Sequence, residues 1–295
     1  LKSLEKLGAK IFIEKGYIYA EALKGLKGNK IIFPKVSVGA TINVLMAAVL
    51  AKGTTEIYNV AKEPEIEDLG LCLRSMGAKI QGLGTNKILV EGVTKLKETN
   101  YKVMFDRIEA GTYALAVAIA GGEIELIGAE KKLLTFFLNV LENIGVDYVI
   151  TENSIIFKRN SNSLNPVDII TEPYPGFPTD LQAQLMAVMS ISNGTSVITE
   201  SIFENRFMHA PELIRMGAKI KLKGNLAIVE GVKKLKGAEV MATDLRASVS
   251  LILAGLVAEG ITNIDRIYHI DRGYQNIVKK LKFCGANINR VELWK

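Results

Sequence analysis

The chain has 295 residues, 48% of them hydrophobic and 23% charged, enough for two compact domains with sizeable apolar cores. Its formal net charge of +6 comes from scattered lysines without interleaved aromatics, which argues against a nucleic-acid partner and for a solvated surface with an anionic small-molecule site. The longest apolar runs, Ala114 to Ala120 and Leu251 to Ala258, are too short to cross a membrane, and the first eight residues lack a secretory leader's apolar stretch, so a cytoplasmic location with no membrane partner is expected.

Leu1 to Gly8 reads as the end of an amphipathic helix with no cap and no strand ahead of it, so a missing N-terminal segment is expected upstream. Lys35-Val36-Ser37-Val38-Gly39-Ala40-Thr41 then opens an apolar helix over 42–50 that stops at Gly53. Glu63-Pro64-Glu65 reads as the cap of an outer, amphipathic helix over 66–76. A second apolar helix, 113–120, opens at Arg107 to Thr112 and is followed by an outer helix over 133–144. The third, 182–190, opens at Pro178-Thr179-Asp180-Leu181 and leads to a strand over 195–199 and an outer helix over 211–216. The fourth, 247–257, opens at Thr243-Asp244-Leu245-Arg246 and leads to a strand over 261–265 and an outer helix over 274–284.

Each outer helix ends at a glycine. Gly8, Gly77, Gly145, Gly217 and Gly285 stand 69, 68, 72 and 68 residues apart, and each precedes a β-prone stretch. Such regularity predicts repeated units of strand, buried helix, strand, outer helix and hairpin, with glycine supplying the left-handed residue that ends each outer helix. The four inner helices are apolar almost all round, which predicts burial inside the fold. Cys72 and Cys284 sit in apolar helical patterns and read as buried free thiols.

Candidate chemistry gathers at the helix starts. Backbone N–H groups beside Ser37, Thr179 and Thr243/Asp244 are expected to be free, which suits phosphates, although every helix needs a cap. Arg206, Arg246 and Arg272 lie near these starts, two of them beside apolar residues, where a guanidinium needs a fixed carboxylate or a bound anion. Two readings stand: Arg246 pairs with Asp244 and Arg272 with Asp271, or the three hold a polyanion. Asp180 is either a partner of the helix dipole or the acceptor of a substrate hydroxyl proton, working by position more than by basicity. His209 and His269 read as structural, and no metal-ligand spacing, Gly-rich nucleotide loop or Ser-His-Asp order is present.

Seven motifs, Lys35 to Thr41, Glu63 to Ile66, Asp106 to Glu109, Phe177 to Gln184, Phe203 to Phe207, Met241 to Ala247 and Asp265 to Tyr274, resemble those of the UDP-N-acetylglucosamine 1-carboxyvinyltransferases of the enolpyruvyl transferase family. The resemblance runs in order from Leu1 to Val291. It implies an α/β fold, a two-domain inverse α/β barrel of repeated units with buried helices, N-terminally incomplete. Residues 1–104 would be the remainder of the first domain, a partial repeat plus the UDP-binding unit, and 105–295 a second domain of three repeats on the phosphoenolpyruvate side. The implied reaction moves the enolpyruvyl group of phosphoenolpyruvate to the 3-hydroxyl of UDP-N-acetylglucosamine and releases phosphate. It is the first committed step of peptidoglycan synthesis, on which cell shape and division depend, and it implies no metal and no organic cofactor.

By the same resemblance, Lys35, Val36, Ser37, Val38 and Gly39 would bind the UDP moiety, Ile202 would contact the sugar nucleotide, and Asp180 would take the proton of the 3-hydroxyl. Arg206, Arg246 and Arg272 would hold phosphate and carboxylate, with Asp244 in the same substrate-binding set. The family's N-terminal segment supplies a Lys-Asn pair, an Arg and a mobile loop whose Cys or Asp protonates the vinyl carbon. None of these positions is in this sequence, so residues 1–295 alone are expected to show no turnover. The alternatives are an inactive sugar-nucleotide-binding module of the same fold and, from the charge alone, an RNA-binding protein with steeply salt-dependent affinity.

Overall fold

A computed structural model describes residues 1–161 and 163–291; the last four residues of the expected second domain, 292–295, lie outside the described residues. The chain forms two compact units, one of residues 1–104 with 173–175, the other of 105–172 with 176–295.

The first unit begins with α1 (Lys2–Lys6) and the hairpin β1 (Lys10–Glu14) and β2 (Tyr17–Glu21), then runs through β3 (Lys30–Ile32), α2 (Val38–Val49), β4 (Thr54–Tyr58), α3 (Pro64–Ser75), β5 (Lys79–Gln81) and β6 (Lys87–Glu91). Helix α2 is the crossover that leaves β3 and β4 parallel, and β6 joins β4 antiparallel to give the order β3-β4-β6-β5. Period-two alternation puts Ile57 opposite Ile88 on the inner face, both fully buried, against Val44, Leu45, Ala48 and Val49 of α2.

That helix corrects one expectation. Only Thr41, Val44, Leu45, Ala48 and Val49 of α2 are buried, whereas Met46 is 46% exposed and Leu50, just past its end, 53%. An apolar helix is buried all round only where neighbours stand on every side, and within this unit α2 packs on α1, α3 and β6.

In the second unit the order is α4 (Arg107–Ala120), β7 (Gly122–Ile127), α5 (Thr135–Ile144), β8 (Asp147–Ile150), β9 (Ser154–Arg159), β10 (Ile169–Ile170), α6 (Gln182–Met189), β11 (Thr195–Thr199), α7 (Ala210–Arg215), β12 (Lys219–Lys223) and β13 (Leu226–Glu230). It closes with β14 (Glu239–Met241), α8 (Ala247–Gly255), β15 (Asn263–Asp265), α9 (Tyr268–Asp271) and α10 (Ile277–Phe283), and a 3₁₀ turn over Thr179–Leu181 precedes α6. Here the expectation of interior helices is met: α4, α6 and α8 pack on one another, all eight residues of α6 are buried, and so are Ala247 to Ala254 of α8. Gly111 permits the closeness, since a Cβ there would lie 2.5 Å from Leu181 Cδ1. Three sheets surround these helices, in the orders β7-β9-β8, β10-β11-β13-β12 and β14-β15. In the second of them β12 is an edge strand whose Lys219, Lys221 and Lys223 are exposed.

The five repeated glycines have φ of 99, 98, 98, 93 and 95°, the left-handed residue that the period predicted. The full unit of strand, inner helix, strand, outer helix and hairpin occurs twice, over β3 to β6 and β10 to β13. Among the described residues no strand stands between β6 and α4 to open that unit, and no hairpin follows α10. The expected helix over 274–284 starts only at Ile277, because Asn276 adopts φ 54° and Tyr274 turns into the core at 1% exposure. Cys72 is half-buried and Cys284, where the chain leaves α10, is exposed, which corrects their reading as buried thiols.

Candidate active site

Asp180 lies in the 3₁₀ turn that enters α6, set by the fixed φ of Pro178 before it. Its Oδ1 accepts a hydrogen bond from Arg206 Nη2 at 2.6 Å, and its Oδ2 stands 3.5 Å from Arg246 Nε. Arg246 immediately precedes α8 and also lies 4.0 Å from Asp106 Oδ2, the carboxylate that caps α4 by accepting from the N–H groups of Ile108 and Glu109. The starts of all three interior helices therefore meet at one carboxylate–guanidinium cluster. The two guanidiniums are mostly buried, with side chains 20% and 17% exposed, so their attraction to Asp180 acts in a medium less screening than water.

Aromatic rings and a buried polar network orient these cations. The Arg206 guanidinium carbon sits 4.9 Å from the centre of the Phe203 ring, and that of Arg246 sits 5.4 Å from the centre of the Tyr274 ring. The Tyr274 hydroxyl shares a 3.0 Å hydrogen bond with Thr112 Oγ1 of α4. Gln184 Nε2 of α6 reaches the Tyr274 hydroxyl at 3.2 Å, Thr112 Oγ1 at 3.2 Å and the Asp180 carbonyl at 2.9 Å. Burial pulls the Arg246 pKa down, but Tyr274, Asp180 and Asp106 outweigh it and leave the guanidinium more firmly charged than usual. Burial likewise pushes the Tyr274 phenol up, so it stays protonated as a donor.

Neither near-neighbour pairing read from the sequence is found. Asp244 Oδ1 caps α8, accepting from the N–H groups of Arg246 at 2.8 Å and Ala247 at 2.7 Å, so those donors are not free for a ligand. Asp271 pairs with Arg290 through two bonds of 2.8 Å, which hold its carboxyl below the usual range, and not with Arg272. Asp244 is thus taken by backbone donors at the start of its own helix, and Asp271 by a guanidinium whose fork matches both of its oxygens. Thr179 does not cap its helix either; its hydroxyl donates to Glu200.

Of the remaining sequence candidates, Arg272 is exposed at the end of α9 and makes no bond to Asp180 among the described residues. Its neighbour Gly273 packs so tightly that a Cβ there would lie 3.3 Å from Arg246 Nη1. Ile202, 37% exposed, starts the loop that carries Arg206. In the first unit, Lys35, Val36, Ser37 and Gly39 are exposed at the start of α2, with Val38 half-buried, and Ser37 Oγ accepts from the N–H of Ala40 at 3.3 Å. His209 is 1% exposed, with no hydrogen-bond partner for either ring nitrogen among the described residues, and burial lowers its pKa to about 4. His269 lies against Tyr268, ring centres 4.2 Å apart. Sequence reasoning did not single out Asp106, Gln184 or Tyr274; the equivalence of Asp106 with Asp244, each just ahead of an interior helix, was the available signal.

Interior helices ringed by sheets, with charged residues at their starts, define the inverse α/β barrel of the enolpyruvyl transferases. The fold matches that of the enolpyruvyl transferase NikO from Streptomyces tendae with a TM-score of 0.90 at 23% identity, over 98% of this chain and 71% of that one. It also matches the EPSP synthase of Acinetobacter baumannii with a TM-score of 0.72 at 23% identity, over 96% and 69%. The chain belongs to the EPSP synthase (3-phosphoshikimate 1-carboxyvinyltransferase) family, whose profile matches residues 1–281. Its relatives include the UDP-N-acetylglucosamine 1-carboxyvinyltransferases of Caulobacter sp. (strain K31), 56% identical over 292 residues, and of Dinoroseobacter shibae, 58% identical over 292 residues. Each alignment spans 99% of this chain, and 68% and 69% of the respective relative.

Proposed function

We propose that this protein transfers the enolpyruvyl group of phosphoenolpyruvate to the 3-hydroxyl of UDP-N-acetylglucosamine, the activity its relatives are named for, as a cytoplasmic enzyme of cell-wall synthesis. The observation that carries the reading is Asp180 held between Arg206 and Arg246, a proton acceptor and two anion clamps in one place. Among the described residues no helix is long and apolar enough to cross a membrane. Residues 105–295 take the phosphoenolpyruvate side, and 1–104 the nucleotide side, where the start of α2 at Lys35 to Gly39 offers backbone donors and a lysine to a diphosphate.

Phosphate and carboxylate oxygens of phosphoenolpyruvate compete with Asp180 for the donors of Arg206 and Arg246, joined by Arg272, and so release the Asp180 oxygens toward the sugar. The 3-hydroxyl oxygen then bonds to C2 of phosphoenolpyruvate, its proton passes to Asp180, and C3 takes a proton from a separate general acid, the role that the family resemblance gives to a loop Cys or Asp outside this sequence, giving a tetrahedral ketal. Loss of a proton from C3 with cleavage of the C2–O bond to phosphate restores the double bond. Two guanidiniums fixed before substrate arrives stabilise the charge carried by the departing phosphate without reorganising.

The test is phosphate release from phosphoenolpyruvate by the protein expressed from its complete reading frame. Release is expected only when UDP-N-acetylglucosamine is present, and Asp180→Asn is expected to lower it by about 10²-fold or more. Turnover undiminished in that variant removes Asp180 from the chemistry.

A further inference from the structure

We propose that Glu200 is a positioning residue that sets the separation of Arg206 and Asp180 while touching neither. It follows β11 and is 2% exposed, yet its charge is met by hydrogen-bond donors alone among the described residues. Glu200 Oε1 accepts from Thr171 Oγ1 at 2.9 Å and from the backbone N–H groups of Ile202 and Phe203 at 2.9 and 3.0 Å. Its Oε2 accepts from Thr179 Oγ1 at 2.8 Å. One oxygen thus holds the loop that leads through Phe203 to Arg206, and the other holds the turn that carries Asp180.

The frame behind this link is stiff. The backbone N–H of Glu200 donates to Asn225 at the β12–β13 hairpin, and the N–H of Ser201 donates to Thr171 Oγ1, each at 2.9 Å. A carboxylate is costly to bury without a cation, and four donors aimed at it are what make the site tolerable. Those donors come from the loop (Ile202 and Phe203), from the turn (Thr179) and from Thr171 at the end of β10, which itself bonds Ser201 and pairs with Phe177, so the Glu200 carboxylate joins the loop to the turn directly before any substrate is present.

Glu200→Gln separates the two halves of the link. The amide oxygen still serves the three donors on the loop side, while the amide NH₂ faces Thr179 and replaces a charge-assisted bond with a neutral one. Thr179→Val removes the same half from the other end.

That Arg206 and Asp180 do chemistry rests on the function proposed above; that Glu200 sets their separation does not, and two measurements keep these apart. In urea unfolding without ligand, the unfolding constants of Glu200→Gln and Arg206→Ala are expected to combine with a departure of about threefold or more from the product of the single effects. Independent, multiplicative effects overturn the proposal. In the phosphate-release assay, Glu200→Gln is expected to lower kcat/KM for phosphoenolpyruvate about tenfold in the wild-type background and by less than about twofold in the Arg206→Ala background. Thr179→Val repeats the measurement should Glu200→Gln fail to fold. Full activity in a folded variant, or an undiminished tenfold loss on top of Arg206→Ala, refutes the assignment. Absence of phosphate release in the wild type overturns the transferase reading, and the unfolding arm then decides Glu200 alone.

Discussion

Replacing Arg246 by Ala asks whether the cluster is built to bind an anion or to hold the fold together. At an effective dielectric constant of about 20, the 3.5 Å contact with Asp180 and the 4.0 Å contact with Asp106 each represent roughly 4–5 kcal/mol of gross attraction, largely offset by the desolvation of a side chain only 17% exposed. Truncation does not leave either carboxylate stranded: Asp180 keeps Arg206 at 2.6 Å, and Asp106, 44% exposed, keeps water and its two cap donors. The expected stability loss is therefore modest, about 1–2 kcal/mol, or roughly 2–8 °C in Tm. A bound phosphate or carboxylate has no such reserve. Losing one charge-assisted partner costs it about 2–3 kcal/mol, a fall in phosphoenolpyruvate affinity of roughly 30- to 150-fold. Titration calorimetry gives the affinity and a thermal melt the stability, with Arg246→Lys expected between wild type and Ala because it keeps the charge and loses the fork. A melt lowered well beyond 8 °C with affinity unchanged refutes the reasoning.

Two further outcomes follow from the buried polar groups. Tyr274→Phe keeps the ring under Arg246 but leaves Thr112 and Gln184 without their shared hydroxyl, and is expected to cost about 1–3 kcal/mol in a urea unfolding series; an unchanged midpoint contradicts the network. His209 stays neutral in the folded state down to about pH 4, while the unfolded chain takes up a proton near pH 6.5. Stability is therefore full above pH 6.5 and falls by roughly 3 kcal/mol as pH drops toward 4. His209→Phe, which forfeits no hydrogen bond, is expected to flatten that slope between pH 6.5 and 4, and a slope identical to wild type assigns the effect elsewhere.

What the sequence revealed and what it hid divide along physical lines. Gly77, Gly145 and Gly217 were legible because a left-handed residue after a helix is a local demand that glycine meets almost alone. The interiors of α4, α6 and α8 were legible because no polar face remained to solvate. The exposed side of α2 was not, since burial is a property of neighbours, and the same apolar composition sits half in solvent there. Pairings were misread for a related reason. Asp244 and Arg246 stand two residues apart in sequence, but the carboxylate is taken by backbone donors at the start of α8, and the guanidinium finds Asp180, a whole repeat away. Tyr274 read as the opening of an outer helix because nothing in the sequence announced that Asn276 would turn the chain first.

The lysines of β12 bear on solubility. An edge strand presents unpaired backbone groups to any other strand it meets, and Ile220 and Leu222 supply apolar content that favours stacking. Three like charges on its exposed positions make a second copy of the same strand electrostatically unwelcome, so the open border resists growing into an intermolecular sheet. Acylation of those amines removes the charges and turns a protected border into a template for aggregation.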